Sequence, residues 1–147
     1  MRAVIQRVKE ASVKINNEVV GRIDKGILVY LGIEKGDGDK EIEFLTKKIL
    51  DLRIFPDEEG KMNKNILQVG GSVLSVSQFT LSSRIKKGRR PDFNNAEKYA
   101  LAKVLYERFN EILSRSINLQ TGVFGVMMEV YSINDGPVTF IIERKFD

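Results

Sequence analysis

The chain has 147 residues, 42% of them hydrophobic and 30% charged, with a formal net charge of +4 and neither cysteine nor histidine. That is apolar material enough for one domain with its own core, while the two absences exclude disulfides, thiol chemistry, an imidazole base and zinc sites of the His and Cys type. The charge, with a sequence pI of 9.3, favours a polyanionic partner only mildly, beside the plain reading of an ordinary basic surface.

Residues 2–8 alternate and are rich in β-branched side chains, and 11–15 and 18–23 follow as strands with Asn16-Asn17 as the turn between them. Residues 26–33 are the longest apolar run; they read as a buried strand, too short for a bilayer, which needs about 20 residues. The opening residues read as a strand and not as a signal peptide, so a soluble, cytoplasmic protein is expected. Gly36-Asp37-Gly38-Asp39 breaks the chain. A helix over 39–52 follows, with Ile42, Leu45, Ile49 and Leu52 on one face and Asp39 and Glu41 at its positive end. Pro56 to Gly60 is a turn, and 61–63 is irregular. Residues 72–79 form a strand with serines interleaved, and 80–93 a long basic loop. Asn94 or Asn95 caps a second helix that runs to about Ser116 and buries Leu101, Leu105, Phe109 and Ile112. Residues 123–133 make a strand long enough to bend or bulge, Asn134-Asp135-Gly136-Pro137 a turn, and 138–144 the last strand. This order predicts a single α/β domain over residues 1–147, a mixed sheet with helices on one face.

Four stretches could carry chemistry. Ser75 to Ser83 crowds hydroxyls and an amide at a strand end, where rigid backbone can present them to a ligand; a half-buried strand with a solvated polar face is the other reading. Arg84-Ile85-Lys86-Lys87-Gly88-Arg89-Arg90 would contact phosphates, or is a solvated charge run. Gly136-Pro137 combines a fixed φ with a lost backbone donor and is otherwise a hairpin turn. Gly122 to Met128 pairs methionines with glycines, as a pocket lining or as core. With no histidine or cysteine, catalysis would rest on hydroxyls, charged side chains, backbone amides or the substrate itself. No metal and no cofactor are expected.

Together these stretches resemble the D-aminoacyl-tRNA deacylase family from end to end. The resemblance is carried by Val4 to Val8 with Ala11-Ser12-Val13, and by Arg53-Ile54-Phe55 with Gly60 to Asn63. Its sharpest pieces are Ser77-Gln78-Phe79-Thr80-Leu81 and Asn134-Asp135-Gly136-Pro137-Val138-Thr139, supported by Gly88, Arg90-Pro91, Phe93 and Gln120-Thr121-Gly122. The chain departs from the family at Asp92, where serine is common, and at Ala96-Glu97-Lys98, where a small pair and a proline are common. The resemblance implies a compact three-layer α/β domain, with mixed β-sheet layers and two main helices packed on one face. It implies a homodimer that hydrolyses D-aminoacyl-tRNA and glycyl-tRNA. It implies a Gly136-Pro137 peptide that is cis and inserts into the partner's pocket, rejecting L-residues by clash. Ser77, Gln78, Phe79 and Thr80 are the candidate catalytic residues, with oxyanion donors at the amides of Phe79 and Thr80 and help from the tRNA's own 2′-hydroxyl. Thr80, lacking a base, is expected to shape the pocket and not to form an acyl-enzyme. Arg7, Ala96 and Met128 are assigned to the substrate pocket, Arg7 also to holding the Gly136-Pro137 loop. Arg84, Lys86, Lys87, Arg89 and Arg90 are assigned to tRNA. The alternative is a tRNA- or RNA-binding module without catalysis.

Overall fold

The computed structural model describes residues 1–146. The chain opens with β1 (Arg2–Ile15), β2 (Glu18–Ile23) and β3 (Gly26–Gly32). Then come α1 (Asp39–Asp51), a hairpin of β4 (Phe55–Pro56) and β5 (Met62–Lys64), and β6 (Ser72–Ser77). A 3₁₀ turn (Phe79–Ser82), α2 (Tyr99–Ser114), β7 (Leu119–Thr121) and β8 (Glu129–Glu143) complete it. The main sheet runs β2-β1-β3-β6-β7, with β8 paired to β1. β1 is antiparallel to β2, β3 and β8, whereas β3-β6 and β6-β7 are parallel, so the sheet is mixed. This is the expected α/β class.

β1 is one strand, not the two expected. Its first half pairs with β3, ending at Val8↔Gly26, and its second half with β2, starting at Ala11↔Ile23. Lys9 and Glu10 lie at the change of partner and are exposed, and the pairing with β8 slips between Val8 and Glu10. One residue of slip moves every later side chain to the opposite face. Ala3 and Ile5 therefore enter one core, and Val8, Ala11 and Val13 the other.

The first core lies between the sheet and the helices. It joins Ile27, Val29 and Leu31 of β3 and Val73 of β6 to Ile42, Leu45 and Ile49 of α1 and to Leu105 and Phe109 of α2. The second lies inside the curl of the sheet, where Leu28, Leu74 and Val76 meet Ile23 and β1. The curl closes where β2 meets β7. A Cβ on Gly21 would stand 2.7 Å from the Thr121 carbonyl oxygen, so only glycine lets the two backbones approach this closely.

α2 starts at Tyr99, with Lys98 as its N-cap, and not near Asn94 or Asn95. Those asparagines are taken up by tertiary pairing: the Asn95 carbonyl accepts from the Lys35 amide at 3.0 Å, and Ala96 bridges Glu34. The buried stripe of α2 is Ala102, Leu105, Tyr106, Phe109 and Leu113, while Leu101 is exposed. Residues 134–137 do not form a turn between two strands but lie within the continuous β8. The short strands β5 and β7 were not expected. Among the described residues no helix is long and apolar enough to cross a membrane.

Gly21→Ala should destabilise the fold by about 1–3 kcal/mol, since a Cβ there must push backbone and not a flexible side chain. A fall in the urea midpoint at constant m value is the expected reading; an unchanged midpoint would show that β2 and β7 separate freely.

Candidate active site

β3 and β6 run side by side from Gly26↔Ser72 to Leu31↔Ser77. There the ladder ends with the Gln78 amide donating to the Leu31 carbonyl at 2.8 Å. The chain turns at once into the 3₁₀ segment, which presses on Gly32, where a Cβ would lie 2.9 Å from Leu81 Cβ. The first internal hydrogen bond of this turn is from the Leu81 amide to the Gln78 carbonyl, at 3.2 Å. The amides of Phe79 and Thr80 precede it, and no side chain caps the turn. Two backbone donors are thus displayed together at the strand end, as at any helix start. The Gln78 side-chain amide donates to the Thr80 hydroxyl oxygen. No carboxylate or amine accepts a hydrogen bond from that hydroxyl among the described residues.

Beside this turn lies a cavity of about 560 Å³. Ser77, Gln78 and Phe79 line it from the end of β6, Ala96, Glu97 and Tyr99 from the approach to α2, and Phe124 and Met128 from the segment before β8. The structure therefore brings together Ser77, Gln78, Phe79, Ala96 and Met128, while Thr80 lies beside the cavity and does not line it. Most of the lining is apolar, and Glu97 is its one charged residue. α2 is pinned behind it: the Tyr106 hydroxyl donates to the Ser75 carbonyl at 2.8 Å, and burial pushes that phenol above its ordinary pKa, keeping the donor protonated. The Met128 sulfur folds over Gly122, where a Cβ would stand 2.6 Å from it. Its neighbour Met127 is 91% exposed and also borders the cavity, so both methionines of the pair line it.

Gly136 and Pro137 do not line this cavity. β8 pairs Thr139 with Gln6 and Asn134 with Val8, so residues 135–138 bulge opposite Arg7 alone. The Gly136-Pro137 peptide is cis. Arg7 Nε donates to the Asp135 carbonyl at 3.2 Å and its Nη1 to the Ile54 carbonyl at 2.7 Å. The Asn134 side-chain oxygen accepts from the Val138 amide at 3.1 Å, closing the bulge from the other side. Gly136 and Pro137 are exposed at its crest. Arg7, assigned to the pocket from sequence, lies outside the cavity and beneath this bulge.

The basic loop has a neck and a tip. Arg84 and Asp92 exchange backbone hydrogen bonds of 2.8 and 2.9 Å at the neck. The Arg84 side chain points back to Glu34, 3.5 Å away. Lys86, Lys87, Arg89 and Arg90 are exposed at the tip and engaged in no ion pair among the described residues.

Phe124 belongs to the stretch read as a pocket lining or as core and does line the cavity, whereas Tyr99 is a cavity residue that the sequence reading does not name. Their rings meet edge-on at 5.1 Å. The available signal for Tyr99 was a tyrosine just ahead of an apolar helix stripe. No cluster of acidic residues suited to a metal occurs among the described residues.

Comparison with known proteins gives a consistent answer. Residues 4–143 match the family described as D-Tyr-tRNA(Tyr) deacylase. A protein of Thermus aquaticus named D-aminoacyl-tRNA deacylase is 56% identical over 146 residues, covering 99% of this chain and 96% of that one. One of the same name from Persephonella marina is 53% identical over 145 residues, covering 99% of each. Among solved structures, one described as c-Myc DNA Unwinding Element Binding Protein superposes with a TM-score of 0.94 at 41% identity, over 99% of this chain and 100% of that one.

Gly136 has φ +133°, and a Cβ there would meet Val138 Cγ2 at 2.7 Å. Gly136→Ala should therefore cost about 1–3 kcal/mol of stability, read as a lowered denaturation midpoint; a wild-type midpoint would mean that the bulge adapts freely.

Proposed function

The chain belongs to the D-Tyr-tRNA(Tyr) deacylase family and is a hydrolase acting on D-aminoacyl-tRNA, and from that premise we propose how its own residues do the work. This kinship sets aside the non-catalytic RNA-binding alternative. The observation that carries the proposal is the pair of uncapped amides, of Phe79 and Thr80, at the edge of a largely apolar cavity.

The cavity receives the aminoacylated terminal adenosine of tRNA, with Ser77, Gln78 and Phe79 as one wall and Ala96 and Met128 as the other. Water adds to the acyl carbon, and the carbonyl oxygen takes up negative charge facing the two amides. Preorganised donors of this kind favour the transition state over the ester. The acyl carbon's bond to the ribose oxygen then breaks, that oxygen regains a proton, and a free D-amino acid leaves. The vicinal ribose hydroxyl assists the proton transfers. Thr80 is not the nucleophile: its oxygen already accepts from Gln78, and no base stands ready to take its proton.

Discrimination comes from a second copy of the chain. Gly136 and Pro137 crest the bulge of β8, and Tyr131, Ile133 and Phe140 are exposed along the same strand. That apolar face is the surface for a homodimer, in which the pair of one copy closes the cavity of the other. Its carbonyls occupy the side where an L side chain would point. D-Residues and glycine meet no clash, so glycyl-tRNA is also a substrate. The cationic tip formed by Lys86, Lys87, Arg89 and Arg90 holds tRNA phosphates.

Three outcomes test this. D-Tyr-tRNA should be deacylated more than about 100-fold faster than L-Tyr-tRNA, the scale of discrimination that steric fit supplies; comparable rates would remove the gate. Thr80→Ala should lose less than about tenfold in rate, where deleting a true nucleophile costs on the order of a millionfold; a trapped aminoacyl-Thr80 adduct would also refute the mechanism. Lys86→Ala/Lys87→Ala should weaken tRNA binding and flatten its dependence on salt between about 50 and 200 mM, and binding that stays unchanged across that range would assign the phosphates elsewhere.

A further inference from the structure

Glu34 sits just past the end of β3, 7% exposed, under the neck of the basic loop. A carboxylate is rarely left so buried unless cations and hydrogen bonds compensate it. Its oxygens lie 3.5 Å from Arg84 Nη2 and 3.9 Å from Arg2 Nη2, and one accepts from the Asn95 side-chain amide at 3.4 Å. Each partner leads to a different part of the site. Arg2 Nη1 donates at 2.6 Å to the carbonyl of Leu81, within the 3₁₀ turn that displays the Phe79 and Thr80 amides. Arg84 closes the neck of the basic loop against Asp92. Asn95 precedes Ala96, which lines the cavity and bridges Glu34 through backbone.

We propose that Glu34 is a positioning residue for deacylation, using Arg2, Arg84 and Asn95 to lock the oxyanion turn, the loop neck and the Ala96 wall in one register. Arg84 thereby leaves the set of tRNA-facing cations and becomes the link between them and the cavity. Phosphate capture at the loop tip then delivers the ester to the amides at a fixed offset. Without the lock, tRNA still binds the tip, but its acyl group is poorly placed. This inference rests on the deacylase reading above.

The test separates binding from the chemical step. Single-turnover rates at saturating D-Tyr-tRNA and tRNA Kd values across salt are measured for wild type, Glu34→Gln, Arg84→Gln, Arg84→Lys and the double variant. Glu34→Gln and Arg84→Gln should each lose about tenfold or more in saturated rate, the scale of a small misplacement of reacting groups, with Kd and salt slope as in wild type. Arg84→Lys should recover most of the rate. The double variant should be no slower than either single, because both break one network. A wild-type saturated rate for either single variant overturns the proposal. So does a salt slope for Arg84→Gln reduced as in Lys86→Ala/Lys87→Ala, which would make Arg84 a phosphate contact. If Glu34→Gln fails to fold, the half-buried Arg84 variants decide alone. A wild type that leaves D-Tyr-tRNA intact would instead refute the deacylase reading itself.

Discussion

The slip in β1 at Lys9-Glu10 is the constraint on which the molecule is built. A regular strand of this length would present one face to one core. Because the alternation reverses between Val8 and Ala11, the same strand supports two cores in succession. Its first half lies under the helices with β3, and its second half is carried over with β2 into the curl. The contact of Gly21 with Thr121 follows from that, since β2 can reach β7 only if β1 turns out of the plane. The cavity is the opening left at the rim of this curl, between the end of β6 and the segment that enters β8. Its position is therefore a consequence of strand register and not of loop chance.

The second irregularity of β1 shapes the bulge to which the proposed gate is assigned. At Arg7 the partner strand carries four residues, 135–138, where a regular ladder would carry one. Such excess must leave the sheet, and the Arg7 guanidinium and the Asn134 amide hold the two sides of its base. The crest is consequently rigid at its root and exposed at its top. The proposed chiral gate would need this combination, because D- and L-aminoacyl groups share composition and hydrophobicity and differ only in where the side chain points.

Much of this was legible in the residues. The alternation of 2–8, the apolar run at 26–33 and the stripe of Ile42, Leu45 and Ile49 each emerge as expected elements. What failed did so where a distant partner outweighs local chemistry. Asn134-Asp135-Gly136-Pro137 has turn residues, yet β1 pairs on both sides of it and makes it a bulge. Lys9-Glu10 reads as a break because its polarity marks a change of face, which a single sequence cannot distinguish from an end. Asn94 and Asn95 have cap chemistry, but Glu34 and Lys35 engage that segment first. Leu101 fits by spacing the stripe that Leu105 and Phe109 do bury, yet at the start of the helix it is Ala102 that faces the core. For the site, the motif residues Ser77 to Phe79 stood out as polar groups at a strand end. Tyr99 did not, because an aromatic side chain in a wall and one in a core have the same local signature. Arg84 was grouped with its cationic neighbours because the buried Glu34 that claims it lies 50 residues earlier.

An ester hydrolase without histidine is physically adequate if its substrate is held well. Enzymes supply about 8–23 kcal/mol of barrier reduction across reactions of very different difficulty. Fixing reacting groups in a productive geometry is worth up to about 7–11 kcal/mol, and a single oxyanion donor about 2.7–4 kcal/mol. An aminoacyl ester is already activated and brings its own neighbouring hydroxyl, so its requirement lies toward the lower end of that range. In the proposed mechanism, two amides on a turn fixed by Leu31 and Gly32, with a largely apolar cavity beside them, would meet it with no nucleophile and no general base of their own. The cost of such economy is geometric. If placement alone lowers the barrier, as proposed, every support of the turn contributes to rate, and that is the ground for assigning a positioning role to the buried Glu34, which reaches Leu81 through Arg2 and adjoins Ala96.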